Sequence, residues 1–327
     1  MTHRAEMNPP EKVIELIKKN SSFLITSHIN PEGDALGSEL ALALTLEKIG
    51  KSVKIWNRDP VPEIYKFLPY SEKIYHGENI NRRYDVLILV DCGNMDRTGW
   101  VDKNNLPANS VFVIDHHLTE SPLKDNGWIE PDASSTGEMI YNLVSSLGIE
   151  IDLDIAVNIY TAIMTDTGSF RYSSTTPDAF RIAGILVEKG VNPSKINREI
   201  YESFPFRKIR LLGYALRTVG KNQDGRVAWM TINKRMFKLA NARAEDTEEF
   251  VNNLRSVKGV EIAILFRQKG LKAFKVSFRS RGKVDVAKIA EVFGGGGHRN
   301  AAGCELKGNL TEIKKKVVKM VEREIAK

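Results

Sequence analysis

Asp115-His116-His117 sets two imidazoles directly behind a carboxylate, and His28-Ile29-Asn30-Pro31-Glu32-Gly33-Asp34 gathers a third imidazole and two more carboxylates within one loop. Asp91 and Asp166 add two further acids at a distance in the chain. Pro31 and Gly33 favour a tight turn, which can aim alternate side chains at one spot. Taken singly, none of these residues is diagnostic. Asp34, for example, reads equally as the cap of the helix that follows it. Taken together, so many carboxylates would repel one another strongly unless something neutralised them. Divalent cations do so. Mixed imidazole and carboxylate ligands favour Mn²⁺, Fe²⁺, Co²⁺ or Zn²⁺ over Ca²⁺. With only Cys92 and Cys304 in the chain, a thiolate-bound structural zinc is excluded. A cluster of this size can hold two metals ~3.5–4 Å apart, an arrangement suited to phosphoester hydrolysis.

The elements that must position these residues are legible around them. Phe23 to Thr26, Ser52 to Trp56, Val86 to Val90 and Val111 to Ile114 are short apolar runs, as expected for strands buried on both faces of a parallel sheet. Ala35 to Ile49 and Asp154 to Met164 carry helical spacing. The alternation predicts a doubly wound α/β domain, whose working residues lie beyond the carboxyl ends of the strands. His28, Asp91 and Asp115 to His117 follow such ends, and Asp166 ends a helix. Residues 170–214 are helical in pattern. From about Arg226 the texture changes to strands at Val227 to Ile232, Val260 to Arg267 and Leu271 to Arg279, then helices at Val284 to Phe293 and Leu310 to Ala326. The expected layout is a domain over 1–190, a helical linker over 191–214, and a smaller α/β domain over 215–327 with a cleft between the two.

Composition narrows the function classes. The chain has 327 residues, 42% hydrophobic and 27% charged, which suits packed domains rather than disorder. No apolar run approaches the ~18 residues of a membrane span, and no apolar stretch follows the basic residues at the start, so neither a membrane protein nor a secretory leader is expected. A cytoplasmic location fits the sparse cysteines. The net charge of +7 hides an asymmetry: residues 1–214 carry 23 basic against 29 acidic residues, and residues 215–327 carry 25 against 12. An acidic half joined to a basic half suggests cations bound in one and anions in the other.

The basic half has its own motif, Phe293-Gly294-Gly295-Gly296-Gly297-His298-Arg299-Asn300-Ala301-Ala302-Gly303. Bare backbone N–H groups followed by His298 and Arg299 would make a phosphate cradle. The whole pattern resembles the DHH phosphoesterase family. Asp115-His116-His117 matches the tripeptide that names it. His28-x3-Glu32-x-Asp34, Val90-Asp91-Cys92-Gly93 and Thr165-Asp166-Thr167-Gly168 resemble its other motifs in family order. The glycine-rich segment and Val276-Ser277-Phe278-Arg279-Ser280 resemble its associated C-terminal domain.

The resemblance implies specific roles. His28, Glu32 and Asp91 would hold a first divalent metal. Asp34, Asp91, His116 and Asp166 would hold a second, with Asp91 bridging and Mn²⁺ the expected ion at both sites. His117 would face the phosphate as a catalytic group, with Asp115 orienting the histidine pair. Arg279, Ser280, Gly295, Gly296, Gly297, His298 and Arg299 would bind substrate. Glu32 departs from the family, which usually has Asp there. The two-domain layout is similar to the nanoRNase and 3′-phosphoadenosine 5′-phosphate phosphatase branch, implying short oligonucleotides and nucleotides as partners. A linear or cyclic dinucleotide phosphodiesterase and a RecJ-type single-strand exonuclease are the alternatives. A homodimer is left open.

Overall fold

The structure, a computed structural model, describes residues 9–77, 80, 82–100, 106–117 and 122–326, without the side chains of Pro122, Lys124 and His298. It forms two compact units, Met1–Ser203 and Phe204–Lys327.

The first unit is built on a six-stranded sheet: β1 (Ser22–Thr26), β2 (Ser52–Asn57), β3 (Ile74–His76), β4 (Tyr84–Val90), β5 (Ala108–Asp115) and β6 (Gly127–Ile129). Every pairing is parallel and the order is β3-β2-β1-β4-β5-β6. The order reverses at β1, so the chain leaves β1 and β4 at neighbouring carboxyl ends and opens a crevice there. Helices α1 (Glu11–Lys19), α2 (Gly33–Lys48), α3 (Thr136–Ser146), α4 (Leu153–Asp166), α5 (Pro177–Glu188) and α6 (Pro193–Asn197) complete the unit. β4 is buried on both faces, which is why its sequence reads as an unbroken apolar run.

The packing of α2 on α4 sets the site. A Cβ at Gly33 would lie 2.5 Å from Thr165 Oγ1, and one at Gly37 would lie 2.4 Å from Asn158 O. Only glycine allows that approach, and it draws the start of α2, with Asp34, to the end of α4, with Asp166. The residues between β1 and α2 are therefore fixed at both ends.

The second unit contains α7 (Phe206–Leu216), β7 (Gly220–Lys221), β8 (Val227–Ile232), α8 (Lys234–Ala240), α9 (Phe250–Arg255), β9 (Ile262–Gln268), β10 (Ala273–Ser280), α10 (Val286–Val292), β11 (Gly296–His298), β12 (Ala301–Lys307) and α11 (Leu310–Ile325). Its sheet runs β11-β12-β10-β9-β8-β7 and is mixed, with β8 and β9 parallel and the other pairs antiparallel. Val286, Ile289, Val317 and Val321 bury one face of it, while Leu211, Phe250 and Leu254 cover the other end. The fold is thus α/β throughout: a parallel-sheet unit followed by a mixed-sheet unit. Within the 191–214 segment, Ile196 and Ile200 belong to the first core and Leu211 to the second.

Candidate metal centre

The crevice at the β1–β4 switch collects the acidic and imidazole residues. His28 lies two residues past β1 and is 7% exposed. Its Nδ1 is 2.9 Å from Ile29 O, an acceptor, so Nδ1 carries a hydrogen and Nε2 is the nitrogen that faces the acids. Nε2 lies 3.5 Å from Asp91 Oδ2 and 4.0 Å from Glu32 Oε1. Glu32, the residue before α2, keeps 65% of its side chain exposed.

Asp91 follows β4 in a left-handed conformation, φ +54°. Its N–H donates to Ile114 O at 2.9 Å, which holds the strained turn against β5. Its Oδ1 accepts from Thr136 Oγ1 at 3.1 Å. Burial drives this carboxyl up, but hydrogen bonds from His117 and His28 outweigh it and hold Asp91 well below the usual carboxylate range. Asp34, 1% exposed, accepts the backbone N–H groups of Thr136 and Gly137 at 2.8 and 2.9 Å, and the Ser38 hydroxyl at 3.1 Å. The positive end of α3 therefore points at this pair of acids. Even so, burial and the nearby Asp91 and Asp166 carboxylates push Asp34 well above its ordinary range.

His116 closes the far side. Its Nε2 is 3.6 Å from Asp34 Oδ2, 3.6 Å from Asp166 Oδ2 and 3.8 Å from Asp91 Oδ1. This buried nitrogen has no hydrogen-bond partner among the described residues. Burial raises Asp166 to about 6. His117 turns the other way. Its Nδ1 donates to Asp115 Oδ1 at 2.8 Å, and its backbone N–H donates to the same oxygen at 3.0 Å. Burial opposes its charge, but the bonds to Asp115 and Asp91 prevail and raise the imidazole to about 11.

Three overlapping groups have ligand atoms within 4.8 Å of one another: His28, Glu32 and Asp91; Asp34, His116 and Asp166; and Asp91, His116 and His117. The donors fit divalent metal. The buried Asp34 and Asp91 and the partly exposed Asp166 repel one another, a buried imidazole nitrogen is unpartnered among the described residues, and every donor is oxygen or nitrogen. Burial pushes the neighbouring Cys92 thiol up to about 12, so it offers no thiolate. The eight residues from His28 to Asp166 that the sequence singles out thus converge, counting Asp115 behind His117.

Sequence reading missed the start of α3. Ser135 caps Glu138 N at 3.1 Å, and Glu138 Oε2 accepts the Ser134 N–H at 2.9 Å. The Ser-x-x-Glu pattern of Ser135 to Glu138 was the available signal of that helix start. Nothing in the residue types revealed that its free N–H groups serve Asp34.

The residues expected to bind substrate sit in the second unit. Arg279 lies on β10 in register with Ala301 of β12 and Ala263 of β9, and its Nη1 donates to Phe278 O at 3.1 Å. Ser280 is 2% exposed, and its hydroxyl accepts the Gly282 N–H at 3.0 Å, which holds a turn. Arg299 is exposed, with Nη2 3.4 Å from Gly282 O. Gly296 and Gly297 lie in the edge strand β11 rather than in an open loop. A Cβ at Gly295 would lie 2.1 Å from Gly303 O, and one at Gly297 would lie 2.5 Å from Ala301 O, whereas Gly296 has open space. His298 ends β11, and its side chain lies outside the described residues.

Comparison with known proteins agrees with this layout. The family described as "DHH family, N-terminal domain" matches residues 22–165, and the "DHHA1 domain" matches residues 231–327. The bifunctional oligoribonuclease and PAP phosphatase NrnA of Thermus thermophilus is 32% identical over 96% of this chain and 94% of its own length. The protein of the same name from Bacillus subtilis is 26% identical over 90% and 92%. A crystal structure of an exopolyphosphatase-related protein from Bacteroides fragilis superposes with a TM-score of 0.88, at 28% identity over 97% of this chain and 95% of that one. Motifs, fold and full-length similarity together establish that the chain belongs to the DHH phosphoesterase family and carries its DHHA1 domain.

Proposed function

We propose that this protein is a metal-dependent phosphohydrolase of very short oligonucleotides and of 3′-phosphoadenosine 5′-phosphate. The observation that carries the reading is Asp91: one buried carboxylate shared by two ligand groups. The names of the relatives from Thermus thermophilus and Bacillus subtilis support the substrate class.

In this reading His28, Glu32 and Asp91 hold one divalent ion, and Asp34, Asp91, His116 and Asp166 hold the other, with Mn²⁺ the proposed ion at both. When bound, such ions supply Lewis acidity toward phosphoryl oxygens and lower the pKa of water. The chain's own residues do the rest. The start of α3 fixes Asp34, and Thr136 fixes Asp91, so the carboxylates need no reorganisation during reaction. Asp115 anchors His117, which can stabilise phosphoryl charge or protonate a leaving oxygen. In the second unit, Arg279, Arg299 and the open edge at Gly296 are the proposed contacts for a terminal phosphate or nucleoside, with His298 beside them in sequence. Ser280 supports them through the Gly282 turn.

Product analysis with Mn²⁺ tests the reading on three substrates: 3′-phosphoadenosine 5′-phosphate, pApA and a 20-mer. Phosphate from the first and mononucleotide from the second, with the 20-mer intact, is the expected result. Activity on pApA alone would make the protein a dinucleotide phosphodiesterase. Processive shortening of the 20-mer would make it an exonuclease of longer strands.

A further inference from the structure

α2 buries a carboxylate that belongs to none of the ligand groups. Glu39 and its partner Asn57 are 0% exposed, and Ser27 is 1% exposed. The parallel ladder between β1 and β2 runs as far as Ile25 opposite Ile55. One step further on, the Asn57 side chain takes over from backbone: its Oδ1 accepts the Ser27 N–H at 3.1 Å. Its Nδ2 donates to Glu39 Oε2 at 2.8 Å. Ser27 immediately precedes His28, so a chain of buried bonds runs from the middle of α2, through the end of β2, to the backbone that carries the imidazole.

An uncompensated buried carboxylate is costly, and Glu39 makes no ion pair among the described residues. Burial pushes it up to about 8, so it is mostly a neutral acid at pH 7. A neutral acid here resembles an amide: it accepts one hydrogen bond and fixes which way Asn57 points. Without that acceptor the Asn57 amide loses its preferred orientation, and the Ser27 N–H loses its partner with it.

We propose that Glu39, acting through Asn57, is a positioning residue for the first metal group, locking the Ser27–His28 backbone at the end of β1. This rests on the reading of His28 as a metal ligand. Mn²⁺ titration of the full chain by calorimetry, with thermal unfolding in chelator alongside, tests it. Glu39→Leu is expected to weaken one binding step by about tenfold or more while leaving the other within about twofold, in line with losses from outer hydrogen-bond partners of metal ligands. Glu39→Gln keeps the size and the acceptor, and is expected to bind both ions as the parent does. Asn57→Ala should lose the same step as Glu39→Leu, and carries the test if Glu39→Leu does not fold. His28→Ala separates the two readings. If it leaves both steps intact, the ligand assignment itself fails. If it abolishes one step while the folded Glu39 and Asn57 variants bind normally, the positioning role fails. Equal weakening of both steps, or loss in Glu39→Gln, would also overturn the proposal.

Discussion

In the first unit, Asp34 is held by the start of α3, Asp91 by Thr136 and Ile114, and His28 by its own loop. In the second unit, Arg279 is half-buried and donates to Phe278 O, while Arg299 is open to solvent with its guanidinium near Gly282 O. The contrast is physical. Clustered charges in low dielectric must be fixed and matched, or they destabilise the fold. A solvated cation such as Arg299 can wait for an anion and adapt to it. Rigid chemistry in one unit and adaptable recognition in the other is the division this suggests.

The largest effect should come from breaking the rigid side. Asp91→Ala is expected to cost on the order of 10³-fold or more in kcat with Mn²⁺, because both ligand groups lose a member. Circular dichroism should remain that of the parent. Substantial turnover in the folded variant would end the two-metal reading.

On the adaptable side, Arg279→Ala should raise KM for nucleotides by about 10–100-fold, the range of one lost charge-assisted hydrogen bond. A small generic phosphodiester should be affected far less. Equal losses on both substrates would place Arg279 in the chemical step and blur the division.

The glycine strand sharpens the comparison in a different way. Gly295→Ala forces a Cβ into Gly303 O and should cost about 1–3 kcal/mol of stability. Gly296→Ala meets open space and should stay within about 0.5 kcal/mol, measured by denaturant unfolding. If Gly296→Ala raises KM at unchanged stability, the strand edge is a recognition surface.

Glu32 is the exposed exception among the proposed ligands. Glu32→Ala should raise the Mn²⁺ needed for half-maximal activity by about 3–10-fold, while Glu32→Asp preserves it. An unchanged Mn²⁺ requirement in Glu32→Ala would remove Glu32 from the first group.

The last prediction concerns stability against pH. Glu39 has its folded value raised from 4.5 to about 8, so between these values the folded protein keeps a proton that the unfolded chain releases. Stability from this group is therefore complete below about pH 4.5 and is lost as pH rises to about 8, with a slope of roughly 1 kcal/mol per unit. Glu39→Gln removes that loss. Its Tm advantage over the parent should grow from pH 5 to pH 8. A constant difference across that range would mean the carboxyl is ionised throughout.

Much of this was readable beforehand, for reasons visible in particular residues. β4 and β5 are buried on both faces, so their apolar runs declared them, and the acids behind them followed from topology. His28, Asp91, Asp115 to His117 and Asp166 carry their chemistry in their side chains. Thr136 and Gly137 act through backbone N–H groups, which every residue possesses, so the composition did not mark them. Glu39 and Asn57 matter only because folding buries them side by side. The strands β11 and β12 were illegible because Gly and Ala dominate them, and small residues favour strands only where neighbours demand close approach. Gly295 and Gly297 allow that approach, whereas Gly296 faces open space.

The ligands come from as far apart as residues 28 and 166, and this spacing has a consequence for biosynthesis. A ribosome delivers His28 and Asp34 early, Asp91 and the histidine pair later, and Asp166 last. Until α4 has emerged and docked on α2 through Gly33 and Gly37, the second ligand group lacks a member. Metal capture at that group therefore reports completion of the first unit, and a nascent chain arrested before Asp166 should not retain both ions. Because contacts this distant in sequence form slowly, the ions would act late, stabilising a sheet already assembled rather than guiding its assembly.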